Sequence, residues 1–589
     1  MASRSRQPPA SAPSVAVPPA RGAVALLLFV ALFTVYLLNC RLRGAGDSIP
    51  TRLLPFSVLR EGDLDLDEFT WHRTAQGRLP YYVHVHGGSL YPVSTVATAL
   101  VVTPLYVAPA WWLAHAGVDY DDVRARVVVV VMERVSAAAL TALSASVLFL
   151  ALCRLTEWRA ALWLTLLYAL GTSTWSIASQ AMWPHALAEL CLATLCLILL
   201  DATPSRRGLA LAGLVAAVAV ANRPQALVFA GVAAAFVATR RRADLLAFLA
   251  APLALGAAVA AYNLSIFSAL AGGYGGLRAF DAPLATGLAG LLLSPNRGLL
   301  VFTPVLAFAL WGAMRVWRVA DAPPWLRWLT TGVGLHLLVH AAFREWWAGY
   351  TYGPRYLTDV LPALMLFLMY GLVPYWRRPA LRALAMVLAA YGVLVQGIGV
   401  YAADDDWNRT PVPLEHAPGR VWDWRDLQIV RSARNGWRGD EYLAVMRDAF
   451  TDTVPARVAA LAPDDLAAGV RVLEAPTVLP AGASAPVRVA VTNRATRAWP
   501  AFTGEGFSDR YLVFVLARWI AADVPVAGAG DVVRLPTNLA PGETEEVSLL
   551  LVAPMAPGAY EVELRVTQAI DGASGVVGPG AVRVPVRVQ

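Results

Sequence analysis

The sequence contains no lysine; its 48 basic residues are all arginine, set against 41 acidic ones for a net charge of +7. Charge is scarce altogether, at 15% of residues, while 57% are hydrophobic. A soluble globular protein carries about 25% charged and about 45–50% apolar residues. The composition excludes that class, and it is far too apolar for a disordered chain. Cysteine is also scarce. Cys40, Cys153, Cys191 and Cys196 lie in or beside apolar runs, with neither metal-ligand spacing nor the pattern of a disulfide framework. Leu37-Leu38-Asn39 ahead of Cys40 is a poor lipoprotein cleavage site. The arginines do not gather into a patch suited to nucleic acid. They are spread over short segments between apolar runs, which is what the positive-inside rule describes.

Long apolar runs dominate the first two thirds of the chain. Residues 1–21 are rich in Pro, Ala and Ser and carry Arg4 and Arg6, which predicts a disordered cytoplasmic tail. The uncharged run 22–39 is long enough to span a hydrocarbon core of about 30 Å. No small-x-small cleavage site follows it, so it reads as a retained anchor. Further spans are expected near 130–152, 160–178, 185–201, 208–221, 225–239, 245–264, 297–314, 326–343, 357–374 and 381–402, eleven in all. With the N-terminus inside, the inner segments collect arginine in groups such as Arg154 and Arg159, Arg206 and Arg207, Arg240 to Arg242, and Arg377, Arg378 and Arg382. The short outer connections hold only Arg223, Arg278, Arg344 and Arg355, with Arg297 at a span edge. The run 93–113 is apolar enough to span, but a crossing there would turn every later arginine-rich loop outward. It is therefore expected to lie in the outer interface, where Trp111 and Trp112 are suited. The competing reading is a twelfth span.

Beyond 402 the composition changes. Residues 403–465 form a charged, tryptophan-bearing connecting segment that opens on Asp404, Asp405, Asp406 and Trp407. Short alternating runs separated by Pro, Gly and Asp then fill 466–589, which predicts a sandwich of about seven strands. The fold class expected is thus a polytopic α-helical membrane protein with a C-terminal, extracytoplasmic, all-β immunoglobulin-like sandwich.

The outer loop 40–95 is the richest in candidate chemistry. Asp47 sits just past the first span, where a carboxylate can act as general base on an acceptor hydroxyl; the plainer reading is a helix cap. Glu61, Asp63, Asp65, Asp67 and Glu68 form a cluster whose alternation offers oxygens to a divalent cation, the competing reading being a solvated acidic turn. His84 and His86 alternate in a short strand and share a face, as metal, phosphate or substrate ligands or as a polar strand face. The loop 341–356 joins Arg344, Trp346, Trp347, Arg355 and Tyr356; arginine binds phosphate bidentately and aromatic rings stack on sugars. Gly353-Pro354 sets a turn ahead of the next helix, whose N-terminus favours anions. An interfacial aromatic belt is the alternative. His185 and Glu189 stand four apart on a helix start, and the buried Glu189 is expected to pair with His185 or an arginine. Arg223 and Arg297 stand at the ends of other spans.

This arrangement resembles the GT-C superfamily of membrane glycosyltransferases, the class of the protein O-mannosyltransferases and the aminoarabinose transferase of lipid A. Asp47 in AGDSIPTRLLPF, the run 93–113 in the position of juxtamembrane helices, residues 132–170, SPNRGLLVFTP and WWAGYTYGPRYLTDVLP carry the likeness, which covers about residues 20–402. The last two segments resemble an uncharacterised bacterial branch of the class. The resemblance implies a bacterial inner-membrane enzyme that moves a sugar from a polyprenyl-phosphate donor to a glycan, lipid or protein acceptor, with inversion. Membrane lipid is a further expected partner and, from the arginine placement, nucleic acid is not; the one cofactor left open is a divalent cation at the acidic cluster. Asp47 would be the base, and Arg355, Arg297 or Arg223 would neutralise the donor phosphate. Many members carry Asp-Glu at the base position, whereas Ser48 follows Asp47 here, which keeps Asp67 and Glu68 as alternative bases. The C-terminal strands resemble immunoglobulin-like modules through Asn493, Trp499 and Pro500 and through Ala556 to Tyr560. A polytopic transporter and a non-enzymatic envelope assembly protein are the alternative functions. A transporter predicts polar, broken helices near the midplane, whereas here the polar residues gather at one face.

Overall fold

The computed structural model describes residues 21–41, 46–69, 80–120, 122–273, 279–403, 406–409, 414, 417–435, 460–500, 512–535, 539–571 and 574–589. The expected tail over 1–20, Arg278, and Asp404 with Asp405 lie outside the described residues.

The chain opens on α1 (Arg21–Leu37) and α2 (Ile49–Arg60). The hairpin of β1 (Val83–His86) and β2 (Ser89–Pro92) follows, pairing Val83 with Pro92 and His86 with Ser89. Then come α3 (Ala97–His115), α4 (Val123–Leu152), α5 (Trp158–Gly171), α6 (His185–Leu199), α7 (Arg206–Asn222), α8 (Leu227–Arg240) and α9 (Leu245–Phe267). The helical part closes with α10 (Leu284–Leu293), α11 (Leu299–Phe302), α12 (Ala307–Val316), α13 (Pro324–Ala342), α14 (Leu361–Leu372), α15 (Pro379–Tyr401), α16 (Asp406–Arg409) and α17 (Gln428–Asn435). Side-chain caps start two of these helices, Asp122 accepting from Arg124 N at α4 and Ser205 from Gly208 N at α7.

Among the described residues, five helices are long and apolar enough to cross a membrane: Ala97–His115, Arg124–Leu152, Arg242–Phe267, Arg355–Tyr375 and Pro379–Tyr401. By helix length and composition this is a multi-pass membrane protein. The expected count of eleven is not reached at that length, because several apolar runs are interrupted. Thr172 is extended (φ −131°, ψ 172°) and ends α5 inside the expected span 160–178. Thr303-Pro304 divides the run 297–314 into α11 and α12. Shorter apolar helices, such as Arg21–Leu37 and His185–Leu199, stand at other expected positions. Helix α3 is among the five by length and composition, although an interfacial helix was expected there. Near its start Thr98 donates to Asn222 Oδ1 at the end of α7 (2.6 Å), and further on the Tyr106 hydroxyl meets Met182 Sδ ahead of α6 (3.3 Å).

Small residues bring helices together. A Cβ on Gly312 would stand 1.8 Å from Phe367 O, so α12 and α14 meet backbone to backbone. Polar staples gather the connections at one end of the bundle. Arg134 of α4 donates to Tyr36 O in the last turn of α1 and Asn39 Oδ1 just after it, and to Ser179 O and Gln180 O between α5 and α6, at 2.6–3.1 Å. Arg52 of α2 pairs with Glu133 of α4 at 2.8 Å, both fully buried.

The C-terminal region consists of β3 (Ala468–Glu474), β4 (Val478–Leu479), β5 (Ser484–Asn493), β6 (Val513–Ala521), β7 (Val524–Arg534), β8 (Thr544–Val552), β9 (Gly558–Asp571), β10 (Ser574–Val577) and β11 (Val582–Val588). One sheet runs β4-β11-β9-β6-β7 with β10 beside β9, and the other runs β3-β5-β8. Alternate residues of both, among them Val487, Val489, Val515, Leu549 and Leu564, fill one core with Trp499 and Trp519. The strands beyond the expected seven include the short β4 and β10, which lack a clear alternating signal. The two motifs noted in the sequence are turn devices. Asn493 Nδ2 donates to Arg497 O and Leu539 O (2.8 and 2.9 Å), and the Tyr560 hydroxyl donates to Ala556 O (2.9 Å).

Candidate active site

Asp47 lies in the one-turn segment Gly46–Ser48 that leads into α2. Its Oδ2 pairs with Arg355 Nη1 at 3.1 Å, and its Oδ1 accepts the Tyr81 hydroxyl at 3.1 Å. The Asp47 side chain is 46% exposed and that of Arg355 14%, so the pair stands at an open edge. Burial, and then the Asp47 charge, push the Tyr81 phenol upward, which keeps its proton in place as a donor. Gly353 at φ +71° and Pro354 make the turn that delivers Arg355. The Arg355 guanidinium lies 5.3 Å from the Trp183 ring centre and 5.6 Å from that of Tyr356, within cation–π range. Its Nε is buried with no hydrogen-bond partner.

A second, closed cluster abuts this pair. Asp359 Oδ1 is 2.6 Å from His185 Nδ1, and Asp359 Oδ2 is 3.1 Å from Arg223 Nη1. Arg223 Nη1 is also 2.8 Å from His185 Nδ1, and all three side chains are at most 8% exposed. The Arg223 guanidinium lies 6.0 Å from the Tyr356 ring centre, so Tyr356 neighbours both arginines. His336 Nε2 lies 3.2 Å from Tyr356 O, and the His340 ring meets the Tyr356 ring at a tilt, with centroids 4.9 Å apart. Asn222, next to Arg223, is fixed by Thr98 and by its own donation to Pro184 O (2.7 Å).

An apolar cleft of about 500 Å³ opens beside Arg223, between α3, the end of α7 and α9. Ala221 and Pro224, close on either side of Arg223, both line it, as do Leu100, Val218, Val259 and Phe267. His84 Nε2 lies 3.2 Å from Ile266 O, and its ring meets Phe267, a cleft-lining residue, at a tilt with centroids 5.0 Å apart.

The structure thus brings Asp47, Arg355, Tyr356, Arg223 and His185 together and leaves other candidates apart. Glu189 is not paired with His185 or an arginine. It accepts from the Thr174 hydroxyl at 2.6 Å, because the extended link after Thr172 turns Thr174 toward it. Arg297 is a structural clamp, its guanidinium bonded to Trp347 O, Asn296 O, Gln428 Oε1 and Asn408 Oδ1 at 2.7–2.9 Å. Arg344 forms an exposed pair with Asp281 at 2.9 Å. Trp346 is buried against Gly290, and Trp347 crosses it edge to face at 5.9 Å. His86 is exposed near Tyr91. Asp67 caps Leu90 N at 2.6 Å, holding the acidic turn against β2. Glu68 keeps both carboxylate oxygens buried without a partner, and that burial raises its carboxyl to about 7. The acidic alternation does not form a metal centre: no group of three His, Cys, Asp or Glu is placed to hold an ion among the described residues.

Three participants escaped the sequence reading. Tyr81 stands in a run of aromatic residues that marked only a strand. Asp359 follows Arg355 by four positions in the 3-10 turn Arg355–Val360, but its partners His185 and Arg223 are more than 130 residues away in sequence. Trp183, two residues before His185, carries no charge that would mark it in the sequence.

No family model matches the chain, and no curated protein matches it. Among solved structures, the oligosaccharyltransferase of Archaeoglobus fulgidus, in complex with Zn and sulfate, is distantly similar over 69% of this chain, at 14% identity and a TM-score of 0.39. The match spans 57% of that enzyme, little more than half its length. The CARDB domain of a Pyrococcus furiosus protein, in complex with di-metal ions, is similar over 23% of this chain and 97% of its own, at 17% identity and a TM-score of 0.14. An alkylpurine DNA glycosylase of Pseudomonas fluorescens, bound to DNA containing an abasic site analog, is similar over 49% of this chain and 79% of its own, at 11% identity and a TM-score of 0.15.

Proposed function

We propose that this protein is a membrane glycosyltransferase that moves a sugar from a polyprenyl-phosphate donor to a hydroxyl acceptor. One observation carries the reading: an accessible carboxylate, Asp47, pairs with Arg355, whose neighbour Tyr356 also faces Arg223, and the residues flanking Arg223, Ala221 and Pro224, line a ligand-sized apolar cleft. An isoprenoid chain suits the cleft, and a phosphate at its mouth meets Arg223 and Arg355, which bind phosphate in fork geometry. The orphan Nε of Arg355 gives that anion a donor the protein leaves unused.

In the proposed step the acceptor oxygen attacks the anomeric carbon while Asp47 takes its proton. The bond from that carbon to the phosphate oxygen breaks, and its electron pair leaves on the phosphate, where the arginines stabilise the new charge. A single displacement inverts the anomeric centre. Trp183 and Tyr356 offer aromatic faces for the sugar ring. In the same reading α3 lies along the outer membrane face, since its contacts at Thr98 and Tyr106 are both to connections that flank the site. The N-terminus is then cytoplasmic and the C-terminal sandwich extracytoplasmic.

The test is to incubate the full chain in nanodiscs with a panel of polyprenyl-phosphate sugars and an envelope extract. Release of polyprenyl phosphate that requires the protein is expected. Folded protein that releases none from any donor would favour a transporter or an assembly factor.

A further inference from the structure

The site holds two arginines that differ in how their charge is met. Arg223 is locked among Asp359 and His185 in a cluster at most 8% exposed. Arg355 is met at the open edge by the half-exposed carboxylate of Asp47. That carboxylate is engaged on both oxygens, by Arg355 on Oδ2 and by Tyr81 on Oδ1. The Tyr81 contact is built in closely: a Cβ on Gly46 would stand 1.9 Å from the Tyr81 oxygen, so this hydroxyl lies directly on the Gly46 backbone. With Oδ2 held by the guanidinium and Oδ1 by the phenol, neither oxygen is turned to an acceptor hydroxyl. Arg355 also has an unused donor at Nε.

We infer that Asp47 and the phosphate of the lipid donor compete for Arg355, so that Asp47 is latched while the site is empty and is released as a base only when a phosphate takes its place. This rests on the transferase reading for its consequence but not for its test. The consequence is an order of events in which phosphate binding precedes deprotonation of the acceptor, so the acceptor is not activated where no donor is present. Tyr81 is a positioning residue in this scheme. It holds Asp47 Oδ1 as Arg355 lets go of Oδ2, and so keeps the freed carboxylate in the site. The exchange is possible at Arg355 and not at Arg223, because only the former partner can swing into an accessible edge without leaving a buried charge unpaired.

The latch is tested by equilibrium binding of polyprenyl phosphate, with no sugar and no turnover, to the full chain in nanodiscs. Four forms are compared: wild type, Asp47→Asn, Arg355→Gln, and the double variant. Asp47→Asn removes the competitor while keeping an acceptor for Tyr81. It is expected to bind polyprenyl phosphate roughly two- to fivefold more tightly, the fold-change that breaking a partly exposed ion pair represents. Arg355→Gln is expected to bind more weakly, and in its background Asp47→Asn is expected to change nothing. Equal or weaker binding by Asp47→Asn overturns the latch. So does tightening of the same size with and without Arg355, which is long-range repulsion alone, and so does undetectable binding by every form. A chain that shows the coupling yet transfers no sugar would keep the latch and lose the transferase, so the two failures are distinguishable.

Discussion

The imidazole of His185 lies 2.6 Å from the carboxylate of Asp359, 174 residues further along the chain, and that carboxylate also holds Arg223. The contact joins the start of α6 to the turn before α14 and fixes Arg223 beside the cleft. Asp359→Asn removes the charge that orients Arg223. Donor kcat/KM is expected to fall about 10- to 100-fold, the worth of a charge-assisted hydrogen bond. Steady-state kinetics check this, with the melting temperature as a control for folding.

At Arg355 the fork and the stacking matter as well as the charge. Arg355→Lys keeps a cation but loses the flat guanidinium that lies near Trp183 and Tyr356. The donor KM is expected to rise at least about tenfold, since loss of one bidentate, stacked contact is worth more than an exposed ion pair. Titration of donor against initial rate reads it directly.

The Arg52–Glu133 pair is buried and Glu133 Oε1 also accepts Met182 N at 3.1 Å. Glu133→Gln breaks this buried ion pair and is expected to cost about 3–5 kcal/mol of stability. The double substitution Arg52→Met with Glu133→Leu replaces the pair by apolar groups and is expected to recover most of that loss. Unfolding in detergent, followed for both forms, checks the difference.

Glu68 gives a pH-dependent stability of definite sign. Burial raises its carboxyl from the ordinary 4.5 to about 7, with Glu61 and Asp63 adding repulsion. Between those two values the folded chain keeps a proton that the unfolded chain has released, so the Glu68 contribution to stability falls as pH rises from about 4.5 through about 7. Glu68→Gln removes the titration. The variant is expected to melt above wild type at pH 8, with the gap closing toward pH 5, and a pH series of melting temperatures reads it.

Much of this molecule was legible in its sequence, for identifiable reasons. The helices follow uncharged runs, and the sandwich follows alternation of period two. Asp47, Arg223 and Arg355 stood out because a charged residue beside a long apolar run needs a reason. What failed was pairing. Glu189 lies four residues from His185 in a helix, yet it is turned to Thr174, because the extended link after Thr172 brings Thr174 to it. Arg297 looked as available as Arg223, but carbonyls around 347–349 and side chains at Asn408 and Gln428, more than a hundred residues away, occupy it. Long-range bonds of that kind leave no local pattern. The helix breaks at Thr172 and Thr303 are equally quiet, since threonine does not punctuate a chain as glycine or proline does, and only Pro304 marked one of them.

The central claim is that Asp47 is the base of a transfer from a lipid-linked sugar. The measurement that tests it most directly is release of polyprenyl phosphate, with a donor that wild type accepts, by Asp47→Asn beside Glu68→Gln, both shown to be folded. Release lost in Asp47→Asn and retained in Glu68→Gln is the predicted result. Release retained in Asp47→Asn would contradict the account and move the base elsewhere in the outer loop.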